Sequence, residues 1–263
     1  MSTVATQPEP SGPAVPTGPV LLQGNAIQKR FGGVQALADV DFTVTRGEIV
    51  GLVGPNGSGK STLLACLSRA LDVDAGTIVF DGKDITRRRA RTVARGGLTR
   101  TFQNVKIFPD LKVRENALLA RKWSDVRTWQ MLTPADAATR ERVDDLLDLT
   151  QLAPLAGEFA GNLSGGQKRL LELVMALVSR PQLVLLDEAS SGVNPTLIES
   201  LKTYIRSLHD DEGVSFVIVE HNIGFIFSLA TRIVVLDAGR VLANGTPDEI
   251  RSNQEVIDAY LGA

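Results

Sequence analysis

Apolar residues recur along this chain with two different periods, and the switches between them mark out its elements. Val40, Phe42 and Val44 alternate with Asp41, Thr43 and Thr45, the two-residue period of a strand with one face in water. Soon after, Ile49 to Val53 is apolar without interruption, and so are Leu183 to Leu186, Phe216 to Val219 and Ile233 to Leu236. Each predicts a strand: Ile49 to Val53 a buried one, and Leu183 to Leu186 one buried on both faces, as in the middle of a parallel sheet. Elsewhere the apolar positions fall at helical spacing. Leu63, Leu64 and Leu67 predict a helix after the first buried run, and Leu170, Leu171, Leu173, Val174, Leu177 and Val178 predict another over Lys168 to Ser179. From Val113 to about Leu152 the pattern is helical and charged, with Val143, Leu146, Leu147 and Leu149 as an apolar stripe. Gly245-Thr246-Pro247 is a turn into a helix, and Glu255 to Leu261 is a last short helical segment. The stretch up to about Gly18 is rich in Pro, Ser, Thr and Gly, lacks the basic start and apolar segment of a signal peptide, and reads as a disordered tail.

Composition narrows the picture. With 263 residues, 43% of them hydrophobic and 5% aromatic, the chain can bury a full core as one large domain with a helical insertion. Its formal charge of −2 gives no general attraction to nucleic acid, and no apolar run approaches the length of a bilayer span. The single cysteine, Cys66, cannot form an intrachain disulfide and reads as helix core in a reducing cytoplasm. Arg87, Arg88, Arg89, Arg91, Arg95 and Arg100 form a basic cluster without interleaved aromatics, which reads as a solvated or partner-facing surface.

The chemistry begins directly after the first buried run. Gly54-Pro55-Asn56-Gly57-Ser58-Gly59-Lys60-Ser61-Thr62 has the spelling of a P-loop, with the required strand before it and helix after it. Its glycines let the backbone turn tightly so that N–H groups converge on phosphate, and the helix adds the positive end of its dipole. Lys60 is placed to reach β- and γ-phosphates. Ser61 is placed to offer its hydroxyl to Mg²⁺.

A second glycine motif, Leu163-Ser164-Gly165-Gly166-Gln167, follows roughly a hundred residues later. Ser164 and Gln167 spell a capping box, so the segment is a helix start in its own right; it also presents N–H groups to an anion, and the two readings are compatible. The buried run Leu183 to Leu186 then ends in Asp187-Glu188. Two carboxylates at the end of a central strand can divide labour beside a P-loop, Asp187 ordering Mg²⁺ through water and Glu188 polarising the water that attacks the γ-phosphate.

With these three motifs in this order, the chain resembles the nucleotide-binding subunits of ABC transporters, from about Val20 onward. The resemblance implies an α/β fold: a P-loop NTPase core with a mainly parallel sheet, an antiparallel β-subdomain and a helical subdomain inserted at about residues 105–162, within a domain of residues 19–263. It implies ATP and Mg²⁺ as cofactors and ATP hydrolysis as the reaction. By the same resemblance Phe31 stacks on adenine, Gln103 in Thr101-Phe102-Gln103-Asn104 senses Mg²⁺ and the γ-phosphate, Ser191-Gly192-Val193-Asn194 matches the D-loop, and His221 matches the switch histidine. The other histidine, His209, lies in a polar stretch without a motif and reads as surface. Two positions depart from the common spelling. Ala189 stands where proline usually follows the catalytic glutamate, removing a φ restraint but no chemical group, and Asn194 replaces the D-loop aspartate with an amide that can still hydrogen-bond.

Local spelling narrows the resemblance. Lys29 to Leu37, Arg100 to Asn104 and Glu255 to Gly262 are similar to the branched-chain amino acid importer subfamily, with urea importers and the lipopolysaccharide-export ATPase as near relatives. Non-transport ABC proteins of translation or DNA repair carry two cassettes in one chain or a long coiled-coil insertion, and neither is present here. The importer resemblance implies a second ATPase subunit, identical or paralogous, two integral membrane permease subunits, an extracytoplasmic solute-binding protein and no nucleic acid, with the chain peripheral on the cytoplasmic face of the membrane. Asn104, Val105, Lys106, Ile107, Phe108 and Pro109 follow the proposed sensor; exposed Ile107 and Phe108 would form a groove for a short permease helix.

Overall fold

The four continuous apolar runs become four neighbouring strands. In the computed structural model, which describes residues 18–101, 107–121, 135–187, 195–220 and 222–261, β3 (Ile49–Val53), β7 (Leu183–Asp187), β8 (Ser215–Val219) and β9 (Arg232–Asp237) lie in one six-stranded sheet. Its order is β10-β9-β3-β8-β7-β6, completed by β6 (Leu98–Arg100) and β10 (Arg240–Gly245). Every pairing is parallel except β10 on β9. Parallel pairing forces long returns over the faces of the sheet, and every residue of β3, β7 and β8 is accordingly buried.

The two faces feed two separate apolar clusters, as strand alternation requires. Phe216 and Ile218 of β8 point into one, Val217 and Val219 into the other. The second cluster holds α1 (Lys60–Leu67) between the six-stranded sheet and an antiparallel sheet of order β2-β1-β4-β5, formed by β1 (Val20–Phe31), β2 (Val34–Thr45), β4 (Ala75–Phe80) and β5 (Lys83–Asp84). On the opposite face lie α3 (Val113–Leu119), α4 (Ala137–Leu149), α5 (Gly165–Leu177), α6 (Pro195–Glu212), α7 (Ile223–Leu229), α8 (Pro247–Ser252) and α9 (Gln254–Leu261). A short α2 (Ala90–Arg95) precedes β6 and buries Val93. No described helix is long and apolar enough to cross a membrane.

Three details differ from the sequence pattern, each for a local reason. Thr45, the polar partner in the alternation of β2, is buried, because its N–H and Oγ1 donate to Glu48 Oε2 at 2.7 and 3.0 Å, and Glu48 in turn pairs with buried Arg232. His209 is not plain surface. Its ring lies against Asp210 Oδ1 at 2.7 Å and the Gly47 carbonyl oxygen at 2.9 Å, fastening α6 to the turn between β2 and β3. The helix expected from Lys168 begins three residues earlier, where its cap sits. The expected tail, residues 1–18, lies outside the described residues except for Gly18, which is exposed.

Candidate functional site

The five parallel strands of the sheet, β9, β3, β8, β7 and β6, have their carboxyl ends on one side, and the P-loop leaves β3 there. Ligands of open α/β sheets bind beyond the carboxyl ends of the strands. The loop needs glycine at two crowded points. Gly54 has φ 150°, and a methyl on it would lie 2.0 Å from the Leu236 carbonyl oxygen; Gly59 has φ 102°, and a methyl there would lie 2.6 Å from the Ala36 oxygen. The loop is also held from outside, Gly239 N–H donating to the Ser58 oxygen at 3.1 Å while Ala38 N–H donates to Gly239 at 2.8 Å. Between these supports Asn56 and Gly57 are exposed, Pro55 is half-buried and Ser58 is buried.

The helix begins at Gly59 with no side-chain hydrogen bond on its N-cap. First-turn N–H groups at the positive end of a helix are donors suited to phosphate. Lys60 folds back over the loop: Nζ donates to the carbonyl oxygens of Gly54 and Pro55, both at 2.8 Å. Its ammonium is thereby held beside the loop's backbone. Ser61 is exposed and Thr62 half-buried on the first turn.

Across from this turn, Asp187 ends β7 and is 1% exposed. Its Oδ1 faces Ser61 Oγ at 3.5 Å, and its Oδ2 accepts from Arg100 Nη2 at 2.8 Å. A hydroxyl and one carboxylate, both hard oxygen donors, are a donor set that suits Mg²⁺, an ion that keeps several waters and takes its other ligands from substrate phosphates. The sequence reading grouped Arg100 with a solvated arginine cluster, and the structure separates it: Arg87, Arg88, Arg89 and Arg91 are exposed, whereas the Arg100 side chain is 14% exposed and ion-paired. Spacing along the chain could not separate them. The usable signal was position, since Arg100 closes a strand that runs parallel beside β7 and lies opposite Leu185.

Gln103, Glu188 and His221, the remaining residues expected to act on the γ-phosphate, lie outside the described residues, as do Ala189 and Asn194. Described residues stand close to each of them in sequence. Glu188 follows Asp187 directly, Gln103 comes two residues after Thr101, and His221 comes two residues after the end of β8, the strand lying between β3 and β7. Phe31, expected against adenine, is half exposed at the end of β1 with Lys29 Nζ 5.8 Å from its ring centroid, and Lys29 pairs with Asp74 at 2.8 Å. That ammonium is the main reason the Asp74 carboxyl is held below the usual carboxylate range.

The second glycine motif starts α5 with both halves of a capping box. Gln167 N–H donates to Ser164 Oγ at 3.3 Å, and Ser164 N–H donates to Gln167 Oε1 at 2.9 Å. Ser164 and Gly165 are exposed, Gly166 is buried and Gln167 is half-buried. The far end of α5 runs into β7, so the helix carries Ser164 away from that junction by about 20 Å at 1.5 Å per residue.

The segment proposed for docking divides in two. Phe108 is 53% exposed, whereas Ile107 packs partly buried against the core; residues 104–106 lie outside the described residues. Sequence reasoning missed what holds Phe108. Asn116 of α3 is fully buried, with Oδ1 accepting from Phe108 N–H at 2.8 Å and Nδ2 donating to the carbonyl oxygens of Phe108, Leu111 and Lys112 at 3.0, 3.3 and 3.0 Å. A second exposed aromatic, Phe159, pairs backbone to backbone with Lys112. The one signal available was a polar residue on a helix whose neighbours Val113 and Ala117 are core.

Residues 37–191 match the family described as ABC transporter, and residues 240–263 match the one described as branched-chain amino acid ATP-binding cassette transporter. The chain is 34% identical over 249 residues to the high-affinity branched-chain amino acid transport ATP-binding protein BraF of Pseudomonas aeruginosa, covering 92% of this chain and 98% of that protein. It is equally similar, 34% over 249 residues with the same coverage, to the high-affinity branched-chain amino acid transport ATP-binding protein LivG of Escherichia coli. A solved ATP-binding cassette of an ABC transporter in its ADP conformation aligns with a TM-score of 0.82 at 30% identity, over 93% of this chain and 99% of that one.

Proposed function

The chain belongs to the ABC transporter ATP-binding family, and from that premise we propose that it is the ATP-hydrolysing subunit of an importer of branched-chain amino acids. The observation that carries the substrate class is the match of the C-terminal residues 240–263, which lie outside the common nucleotide-binding region. Uptake is energised through two permease subunits on whose cytoplasmic side the chain sits, with an extracytoplasmic binding protein delivering solute to them.

In this reading Gly54 to Thr62 cradle the phosphates of ATP, and Lys60 exchanges the Gly54 and Pro55 carbonyls for β- and γ-phosphate oxygens. Phe31 stacks on the base. Ser61 and Asp187 would hold Mg²⁺, with Gln103 reporting on it; when bound, the ion would neutralise charge on the phosphates. Glu188 orients the attacking water and His221 faces the γ-phosphate from the strand end between β3 and β7. Ser164, Gly165, Gly166 and Gln167 meet the γ-phosphate of a second ATPase subunit, whose own signature completes the site on this one. Binding closes the pair and hydrolysis reopens it, and the permeases follow. Phe108 and Phe159 offer the exposed apolar surface on which a short permease helix docks.

The test is reconstitution of the subunit with its permeases and binding protein in lipid nanodiscs. ATPase activity should rise when leucine, isoleucine or valine is added and should be unaffected by urea. Stimulation by urea alone, or by none of these solutes, overturns the substrate assignment. Phe108→Asp should leave basal hydrolysis of the isolated subunit intact and abolish co-purification with the permeases; normal assembly of that variant moves the docking surface elsewhere.

A further inference from the structure

Asp187 is braced by two contacts from the end of its neighbouring strand, and a third contact holds that strand end to β7 two residues before it. Arg100 Nη2 donates to Oδ2 at 2.8 Å, Asp187 N–H donates to Thr101 Oγ1 at 3.4 Å, and one step back Thr101 N–H donates to the Leu185 carbonyl at 3.0 Å. The carboxylate is 1% exposed and the guanidinium side chain 14% exposed, so their attraction is little screened by solvent. The contacts fix the carboxylate's direction: with Oδ2 committed to Arg100, Oδ1 is the oxygen that faces Ser61. The same pairing places a permanent positive charge against the carboxylate proposed to hold the divalent cation.

We propose that Arg100 is a positioning residue that sets the strength of divalent-cation binding at this site, aiming Asp187 Oδ1 at Ser61 while holding the metal's affinity down. The proposal rests on the reading of Ser61 and Asp187 as the Mg²⁺ residues. Its physical basis is competition: two cations sharing one buried carboxylate repel each other, so each binds more weakly than it would alone. A fixed guanidinium also keeps the buried carboxylate paired throughout the nucleotide cycle, when an uncompensated charge there would be costly. Because Arg100 stands three residues before Gln103, a change in the grip of the metal on Asp187 acts on the strand end that leads to the proposed sensor. Arginine suits this role better than lysine, since its planar fork gives direction as well as charge.

Mn²⁺ binding followed by electron paramagnetic resonance, in the presence of a non-hydrolysable ATP analogue, separates the possibilities without reference to turnover. Arg100→Met should bind Mn²⁺ about tenfold more tightly than the unmodified chain, the scale expected when a neighbouring like charge is removed. Arg100→Lys, which keeps the charge, should stay within about threefold. The melting temperature of Arg100→Met should fall without divalent ion and recover when Mn²⁺ and the analogue are added. Arg100→Gln repeats the measurements if the methionine variant does not fold. Asp187→Asn is the control for the underlying reading: if it leaves Mn²⁺ affinity unchanged, Asp187 is not a metal residue and the site assignment itself fails. If Asp187→Asn weakens binding while the neutral Arg100 variants bind as before and lose equal stability with and without the ion, Arg100 is a structural ion pair only and the proposal is overturned.

Discussion

The starts of α1 and α5 both carry glycines, and they meet the same physical requirement in opposite ways. The start of α1 is an open and crowded one: its N-cap Gly59 makes no side-chain hydrogen bond, and a methyl on Gly54 would collide with the Leu236 carbonyl. The start of α5 is closed and roomy. Ser164 and Gln167 satisfy each other's N–H groups, and a methyl on Gly165 would meet nothing within 4 Å. Under the proposed function, a phosphate cradle made within one chain would constrain that chain's own packing, whereas a surface that completes another subunit's site could be an ordinary, well-capped helix end. The first is costly to fold around and the second costs the fold nothing.

The largest effect is expected from removing the chemistry on the cradle side. Glu188→Gln should keep ATP binding while turnover drops by roughly two to four orders of magnitude, the span of a positioned base. Phosphate release measured beside nucleotide binding decides it, and a folded variant that hydrolyses normally takes Glu188 out of the mechanism. Next comes the relaxed side. Ser164→Arg should bind nucleotide as a single subunit yet fail in cooperative hydrolysis, because bulk and positive charge then stand where a partner's phosphate must approach. Mixed with Lys60→Ala protein it should regain activity, since a mixed dimer has one site with both lesions and one with neither. Mixed dimers seen by native mass spectrometry but inactive would break the comparison, because the two helix starts would then not serve one site.

Stability should separate the same two starts more modestly. Gly54→Ala is expected to cost about 2–4 kcal/mol, from a forbidden φ together with a backbone collision, and Gly165→Ala less than about 0.5 kcal/mol. Urea denaturation of both variants reads the difference, and equal losses would remove the contrast. The smallest effect concerns the far end of α1, where burial raises the Cys66 thiol from 9.0 to about 11. The folded chain therefore holds this proton more tightly than the unfolded one, a contribution complete below pH 9 and lost as pH rises toward 11. Between about pH 8.5 and 10.5 the denaturation midpoint of the unmodified chain should fall more steeply than that of Cys66→Ala. Parallel slopes would mean the thiol is reached by solvent in the folded state.

What could be read from the sequence follows from how local each signal is. Ile49 to Val53 and Leu183 to Leu186 were legible as buried strands because burial on both faces leaves no polar residue to obscure them. The capping box was legible because its two partners are three residues apart. β1 was not anticipated: Gln23, Asn25 and Gln28 interrupt its apolar residues, and register shifts around Ala26, at φ 46°, disturb the two-residue period. β10 escaped as well, since its exposed and half-exposed positions do not alternate. Arg100 and Asn116 were illegible for a different reason. Each owes its meaning to a partner, Asp187 at 87 residues' remove for the first and the Phe108 to Lys112 turn for the second, and single-residue chemistry names neither.

The Asn116 amide has a consequence for association. By occupying both polar ends of its side chain on one short turn, it holds the backbone under Phe108 in a single arrangement. The backbone that carries the ring is tied down by these bonds, so a helix docking there as proposed would give up its own conformational freedom without also having to freeze that turn. Part of the entropic penalty of that assembly would then be met during folding, by a buried side chain of α3.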